Sequence, residues 1–215
     1  MDRVKAIQVM INGQAGYDIR VTDPGATVQD YLDAVNKFIE TAKCCRTRKP
    51  ETDSCFGCDL CCQERIPVTL IDVLNLAGGE LGKFVGQMLH VYVEGRVVDI
   101  TMGLDESGRC RYLDSSRGIC GNYGKRPLVC QTFICCPSTQ TAKKLREEII
   151  NAGEDELVRK WFEIKTKNNN LIIHEGVLAA PDIRDYRRTP FAGVSSYEAL
   201  RLKDVCTPRL WNRIT

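Results

Sequence analysis

Four cysteines stand within the short stretch from Cys55 to Cys62, at positions 55, 58, 61 and 62. Adjacent Cα atoms are about 3.8 Å apart, whereas an unstrained disulfide needs roughly 4.4–6.8 Å, so Cys61 and Cys62 are not expected to bond to each other. Two intervening residues let neighbouring thiolates reach one metal centre, as in zinc knuckles and iron–sulfur loops. Gly57 suits the tight turn of such a loop. A redox dithiol would use one pair and leave the other thiols unexplained, so the stretch predicts a metal site.

The composition of the whole chain limits the kind of site and the partners. Among 215 residues there are 12 cysteines but only two histidines, so any metal site must be dominated by thiolates. Thirty basic and 28 acidic residues leave a formal charge of +2, which provides no electrostatic footprint for nucleic acid or an anionic membrane. The first ten residues lack the apolar run of a signal peptide, and no stretch approaches the ~20 apolar residues of a membrane span. We therefore expect a cytoplasmic protein, because clustered thiols stay reduced there and bind metal.

Hydrophobic periodicity predicts an α+β fold. Alternating apolar residues on both sides of Asn12-Gly13 indicate a β-hairpin with a slightly long loop. A capping pair, Thr27 with Asp30, starts a helix whose apolar face ends near Ala42. A second capping pair, Thr69 with Asp72, starts another helix that stops at Gly78-Gly79.

The remaining elements surround a loop-rich cysteine region. A short helix over 81–89 precedes two strands over 90–102, and a long helix covers 141–165, either continuous or broken near Gly153. His90 lies on the first of these strands and is interpreted as structural. We expect a small loop-rich, metal-centred core with flanking helices and short antiparallel hairpins. The sequence therefore predicts three units: a β-hairpin–helix N-terminal unit over 1–43 packed on the core, a cysteine-cluster metal-binding core over 44–140, and a C-terminal helical extension over 141–215.

A second cysteine-bearing region follows the first along the chain. It contains Cys110, Cys120 and Cys130, and Pro127 suits the first turn of a short helix that carries Cys130. With the first region, these make seven candidate metal ligands: Cys55, Cys58, Cys61, Cys62, Cys110, Cys120 and Cys130. Possible additional ligands are Cys135, Cys136, Cys44 and Cys45. Cys206 is isolated and predicted to be a buried thiol, with a distant last ligand as the alternative.

Two kinds of metal centre fit these thiols. A Cys-x₂-Cys-x₂-Cys run can wrap a [4Fe–4S] cluster, whereas a mononuclear zinc usually takes two ligands from each of two knuckles. The tight triple run favours iron–sulfur, and zinc remains the alternative. A four-thiolate [4Fe–4S]²⁺ centre carries a charge of about −2, which nearby donors tune. Arg109 and Arg111 flank Cys110, and Arg126 precedes Cys130 by four residues. These three arginines are the predicted donors.

The motifs resemble one known family. Five motifs carry the resemblance: Cys-x₂-Cys-x₂-Cys-Cys from Cys55, the Thr69–Asp72 helix start, Cys110-Arg-Tyr-Leu, Cys120-Gly-Asn-Tyr and Arg126-Pro-x-x-Cys. Together they are similar to the YkgJ-type cysteine-cluster family, over roughly residues 55–136. The resemblance implies a zinc- or iron-chelating domain. It also implies a relation to the cysteine core of flagellin lysine N-methylases, which are iron–sulfur, S-adenosylmethionine-dependent enzymes. The chain lacks a recognisable glycine-rich nucleotide loop, and it has Gln131 where the family commonly has arginine.

Three functions are consistent with the sequence. The first is an iron–sulfur protein that acts in electron transfer or in cluster-assisted group transfer, such as protein methylation, with a protein redox partner or protein substrate. The second is a structural zinc module for protein interaction, and the third is a metal-handling protein that uses additional thiols. Tyr112, Tyr123 and Asp114 are polar residues near candidate ligands, but no residue is assigned a catalytic role, and the sequence does not decide whether the protein is an enzyme.

Overall fold

The computed structural model describes residues 2–42, 56–164 and 170–215. Cys44, Cys45 and Cys55 therefore lie outside the described residues. The strands are β1 (Val4–Ile11), β2 (Gln14–Val21), β3 (Leu89–Glu94), β4 (Val97–Met102), β5 (Leu113–Asp114), β6 (Ile119–Cys120) and β7 (Glu175–Val177). The α-helices are α1 (Val28–Thr41), α2 (Leu70–Ala77), α3 (Leu81–Met88), α4 (Leu128–Thr132), α5 (Gln140–Trp161), α6 (Leu202–Val205) and α7 (Pro208–Ile214). This mixture of helices and short sheets confirms the α+β fold class.

The N-terminal hairpin forms as its alternating pattern predicts. Strands β1 and β2 pair antiparallel from Val4↔Val21 to Ile11↔Gln14. Asn12 and Gly13 both have positive φ, 49° and 76°, which is the backbone that a two-residue hairpin turn requires. The predicted slightly long loop is therefore wrong, because the strands continue to the two-residue turn.

Helix α1 follows with the predicted cap. The Thr27 backbone N–H donates to Asp30 Oδ2 over 2.8 Å, and the Asp30 N–H donates to Thr27 Oγ1 over 3.2 Å, a reciprocal capping box. Its buried face packs on β1 and α4. That face consists of Val28, Tyr31, Leu32, Val35, Phe38 and Ile39.

A three-stranded sheet has the order β4-β3-β7. Strands β3 and β4 form the predicted antiparallel hairpin, from Leu89↔Met102 to Glu94↔Val97. Strand β7 pairs parallel to β3, from Tyr92↔Glu175 to Glu94↔Val177. The sequence does not reveal β7, because its three residues are all exposed and show no alternation of buried and exposed positions.

Helix α5 is continuous, which resolves the alternative of a break at Gly153. Gly153 is buried within the helix and lies against the start of α2: a Cβ added there would be 2.5 Å from Thr69 Cβ and 3.1 Å from Phe191 Cε1. The missing side chain lets two helices approach closely. The glycine therefore serves packing and does not end the helix.

One hydrophobic cluster extends from Val4 to Ile214 and draws on all three predicted units. Tyr17 bonds through both backbone groups to the segment before α5, since its N–H donates to Pro137 O over 2.9 Å and its carbonyl accepts from the Thr139 N–H over 3.0 Å. The division into three units stays a prediction. None of the helices in the described ranges is both long and apolar enough to cross a bilayer.

Candidate metal centre

Free thiols from both cysteine regions line one cavity of ≈ 80 Å³. Six of the seven predicted primary ligands line it together with Cys135, while the seventh, Cys55, lies outside the described residues. The lining thiols are Cys58, Cys61, Cys62, Cys110, Cys120, Cys130 and Cys135, each half-buried and none in a disulfide. Distant loops thus bring these sulfur atoms to one place.

Backbone turns direct the first group of thiols into the cavity. Gly57 has φ 85°, the left-handed conformation that glycine adopts without strain. The Cys62 N–H then donates to Asp59 O over 2.9 Å, which closes a turn. The Cys110 N–H donates to Cys62 O over 2.7 Å. This last bond joins the two cysteine regions directly.

The β5–β6 hairpin holds the next two thiols. Leu113 pairs with Cys120 across the hairpin, and the Leu113 N–H donates to Cys110 O over 2.9 Å. The Gly121 N–H donates to Tyr112 O over 2.8 Å. One bond closes the turn between Cys110 and β5, and the other joins the two ends of the hairpin, so Cys110 and Cys120 are held close together beside the cavity.

A buried carboxylate positions the helix that carries Cys130. Asp72 Oδ1 accepts from the Leu128 N–H over 2.9 Å and from the Tyr197 hydroxyl over 2.7 Å, while Oδ2 accepts from the Thr69 N–H over 3.0 Å. Burial raises the pKa of Asp72, partly offset by these hydrogen bonds. The carboxylate thereby ties α2 to the first turn of α4, with Pro127 just before it.

Arg126 is the predicted donor that reaches the cavity. Its guanidinium carbon lies 3.8 Å from the centre of the Tyr123 ring, a cation–π contact, and both side chains line the cavity. Its Nη2 donates to Asn36 Oδ1 over 3.3 Å. Its Nε is buried and has no hydrogen-bond partner among the described residues. An anionic centre in the cavity would provide an acceptor for such a donor.

The other two predicted donors differ from Arg126 and from each other. Arg109 forms an ion pair of 3.7 Å with the buried carboxylate of Asp59. Asp59 lies between Cys58 and Cys61 in the sequence. Arg111 is exposed, does not line the cavity, and donates from Nε to Leu104 O over 3.3 Å. Although both arginines flank Cys110 in the sequence, it is Arg109 that forms an ion pair with the described part of the first cysteine loop.

The thiols influence one another's ionisation. A hydrogen bond from the Cys62 thiol lowers the pKa of Cys61 to about 6, against the opposing effect of burial. The same bond, with burial, raises the pKa of Cys62. Burial first, and then the neighbouring thiols, raise the pKa of Cys110 and Cys130. Several thiolates together are therefore unfavourable in this cavity unless a cation compensates their charge.

The cavity is lined by residues whose type and number suit a thiolate-bound metal. Within residues 2–42, 56–164 and 170–215, no group of three or more Cys, His, Asp or Glu side chains is arranged to hold a metal ion.

Among the described residues, the remaining cysteines and the histidines do not line the cavity. Cys136 is disulfide-bonded, so its sulfur is not offered as a thiolate. Cys206 is buried and free, and burial raises its pKa to about 12. His90 contacts Glu175 over 3.3 Å and stacks on His174 with ring centres 5.9 Å apart. Ligation by the predicted residues stays a prediction.

Sequence reasoning missed four contributors to this site. Asp72 is predicted only as a cap, although it also binds the backbone of α4. Asn36, on α1, contacts both Arg126 and Gln131, and no local pattern marks it. Leu60 and Phe133 line the cavity and are also exposed, by 46% and 44%.

Comparison with known proteins gives one match. Residues 54–158 match the CxxCxxCC family model, described as a "Putative zinc- or iron-chelating domain". No curated protein and no solved structure matches the chain. The matched range contains every cysteine that lines the cavity.

Proposed function

Because residues 54–158 match the family model of a zinc- or iron-chelating CxxCxxCC domain, we propose that the chain is an iron–sulfur protein with a [4Fe–4S]-type cluster. Its four ligands are Cys55, Cys58, either Cys61 or Cys62, and one of Cys110, Cys120 or Cys130. The observation that carries the proposal is the convergence of free thiols from both cysteine regions on one cavity.

The spacing of the cysteines along the sequence supports a cluster over a single ion. Two residues separate Cys55 from Cys58 and Cys58 from Cys61, which is a run that can wrap a [4Fe–4S] cluster. A mononuclear zinc usually takes two ligands from each of two knuckles.

The charges near the cavity support the same centre. A four-thiolate [4Fe–4S]²⁺ cluster has a net charge of about −2 and is tuned by nearby donors. Arg126 lines the cavity and has an unpartnered buried Nε among the described residues. It supplies both a positive charge and a donor where the cluster requires them.

The cluster would serve electron transfer or group transfer to a protein, such as methylation, with a protein redox partner or protein substrate. Leu60 and Phe133 line the cavity and are 46% and 44% exposed, and nearby Phe56 is 52% exposed and packs edge-on against Tyr123. Exposed apolar side chains of this size mark protein contact surfaces when they cluster. A partner that covers them would also shield the cluster from water.

Metal analysis of protein purified without oxygen tests the proposal. We expect a brown protein with stoichiometric iron and acid-labile sulfide, and an electron paramagnetic resonance signal after one-electron reduction. A colourless preparation with stoichiometric zinc and no sulfide would rule the cluster out.

A structural zinc module is the second candidate. The Cys110 N–H donates to Cys62 O over 2.7 Å, which places the two cysteine regions side by side as two zinc knuckles would be. In that case a chelator should unfold the domain, and no redox signal should appear. A metal-handling role, the third candidate, would use thiols beyond four ligands, and exchangeable metal in addition to one tightly held centre would support it.

A further inference from the structure

Asn36 connects the N-terminal helix to the cavity. It lies on α1, outside the residues that match the family. Its Nδ2 donates to Gln131 Oε1 over 2.8 Å, and its Oδ1 accepts from Arg126 Nη2 over 3.3 Å. Gln131 Nε2 donates to Arg126 O over 2.7 Å. Three side chains from two helices and a loop thus form a closed ring of hydrogen bonds.

The ring restricts Arg126 at two points. Gln131 fixes its backbone carbonyl, and Asn36 fixes one end of its guanidinium, while Tyr123 covers the guanidinium plane at 3.8 Å. Gln131 can take part because its amide both donates and accepts. An arginine at this position would have only donors and could not accept from Asn36.

We infer that Asn36 is a positioning residue, which holds the Arg126 guanidinium against the thiol cavity and thereby stabilises the negative charge of a thiolate-bound metal. The inference rests on the proposed function in one respect: it requires a bound metal, which can be either iron or zinc. Asn36 itself does not line the cavity and acts through Arg126. The N-terminal unit thus contributes to a metal site whose thiols all lie elsewhere.

Replacing Asn36 should have a measurable effect on metal binding. A guanidinium that is free to rotate loses part of its interaction with the centre, because long side chains give up rotamer entropy to stay in one place. Residues that orient the neighbours of a metal ligand typically change metal affinity by about 10–100-fold when they are replaced. We expect Asn36 to lie at the lower end of this range, since it holds one of several donors.

The rate of metal transfer to excess EDTA from the metal-loaded full chain measures this effect for either metal. Asn36→Ala should release metal about tenfold faster than the wild type, while Asn151→Ala, an exposed asparagine on α5, should leave the rate unchanged. Asn36→Asp keeps an acceptor for Arg126 but loses the donor to Gln131 Oε1, so it should release metal more slowly than Asn36→Ala and faster than the wild type. Circular dichroism on each variant establishes that it is folded.

A double-mutant cycle separates positioning from general destabilisation. If Asn36 acts through Arg126, Asn36→Ala should have no further effect on release in an Arg126→Ala background. Equal effects in both backgrounds, a wild-type rate for Asn36→Ala, or release from Asn36→Asp as fast as from Asn36→Ala would each overturn the inference. Iron, zinc and sulfide contents of the same samples decide the proposed function independently, because the release rates are compared whichever metal is present.

Discussion

Asp72 Oδ1 accepts a hydrogen bond of 2.9 Å from the backbone N–H of Leu128, although 56 positions separate the two residues. The carboxylate that caps α2 therefore also fixes the first turn of α4, two residues before Cys130. Its remaining acceptor positions bind Thr69 N–H and the Tyr197 hydroxyl. Asp72 thus aligns α2, which follows the first cysteine loop, with α4, which carries Cys130.

Asp72→Asn should destabilise the protein by about 1–3 kcal/mol, because the amide Nδ2 would face the Thr69 N–H and leave a buried donor unsatisfied. Urea unfolding of the metal-loaded chain, followed by the fluorescence of buried Trp161, measures the loss. The matched control is Asp33→Asn on the exposed side of α1, which should change the free energy of unfolding by less than about 0.5 kcal/mol. Equal stabilities for the two variants would contradict the role of Asp72.

Of the two roles of Asp72, one can be predicted from the sequence and the other cannot. Thr69 and Asp72 are three residues apart, so the capping box is a local pattern that the sequence displays. The bond to Leu128 depends on how two distant helices pack, and nothing near Leu128 in the sequence indicates it. The same holds for β7, which forms only because β3 offers a free edge to three exposed residues.

The candidate site follows the same rule. Spacing identifies Cys58 and Cys61 as a pair, because ligand spacing within one loop is local. The convergence of Cys110, Cys120 and Cys130 on that loop needs the folded chain. So does the difference between Arg109 and Arg111, which flank the same cysteine but contact Asp59 and a peripheral carbonyl respectively.

Replacing cavity thiols should remove metal, whereas replacing a buried thiol elsewhere should not. Cys58→Ser and Cys130→Ser are expected to lower the metal content of anaerobically purified protein to less than about half, because a hydroxyl is a poor substitute for thiolate at a soft metal. Cys206→Ala is the control, since Cys206 is free and buried but does not line the cavity. Metal analysis after gel filtration measures the result. Full metal content in both serine variants would contradict their assignment as ligands.

Gly153→Ala should destabilise the protein, contrary to the usual effect of alanine in a helix. The new Cβ would lie 2.5 Å from Thr69 Cβ and 3.1 Å from Phe191 Cε1, so α5 would have to move away from α2. We expect a loss of about 1–3 kcal/mol, typical of overpacking.

The control for Gly153 is a second helical glycine that has room for a methyl group. At Gly86, in α3, the nearest atom to a new Cβ is Ile172 Cδ1 at 4.0 Å. Gly86→Ala should therefore stabilise the protein by up to about 1 kcal/mol through helix propensity. Thermal unfolding distinguishes the two, and a stabilising Gly153→Ala would show that the helices are not in close contact.

The pH dependence of stability should contain a contribution from Glu154. Burial, and then the nearby charges of Asp99 and Asp155, raise the pKa of this carboxyl to about 7, from 4.5. A group that binds its proton more tightly in the folded state stabilises that state fully below the unfolded pKa and loses this contribution as pH rises through the folded pKa. The loss between about pH 4.5 and pH 7 should be on the order of 2 kcal/mol.

Glu154→Gln isolates this contribution from the pH dependence of metal binding, which rises as thiols ionise. The variant cannot titrate, so its free energy of unfolding relative to the wild type should increase steadily from pH 5 to pH 8. Glu147→Gln, on the exposed side of the same helix, should keep a constant difference from the wild type over that range. Urea unfolding at matched pH values measures both differences. Because metal release affects all three proteins alike, a constant difference for Glu154→Gln would mean that Glu154 is ionised throughout and that the acidic side chains around it do not disfavour its charge.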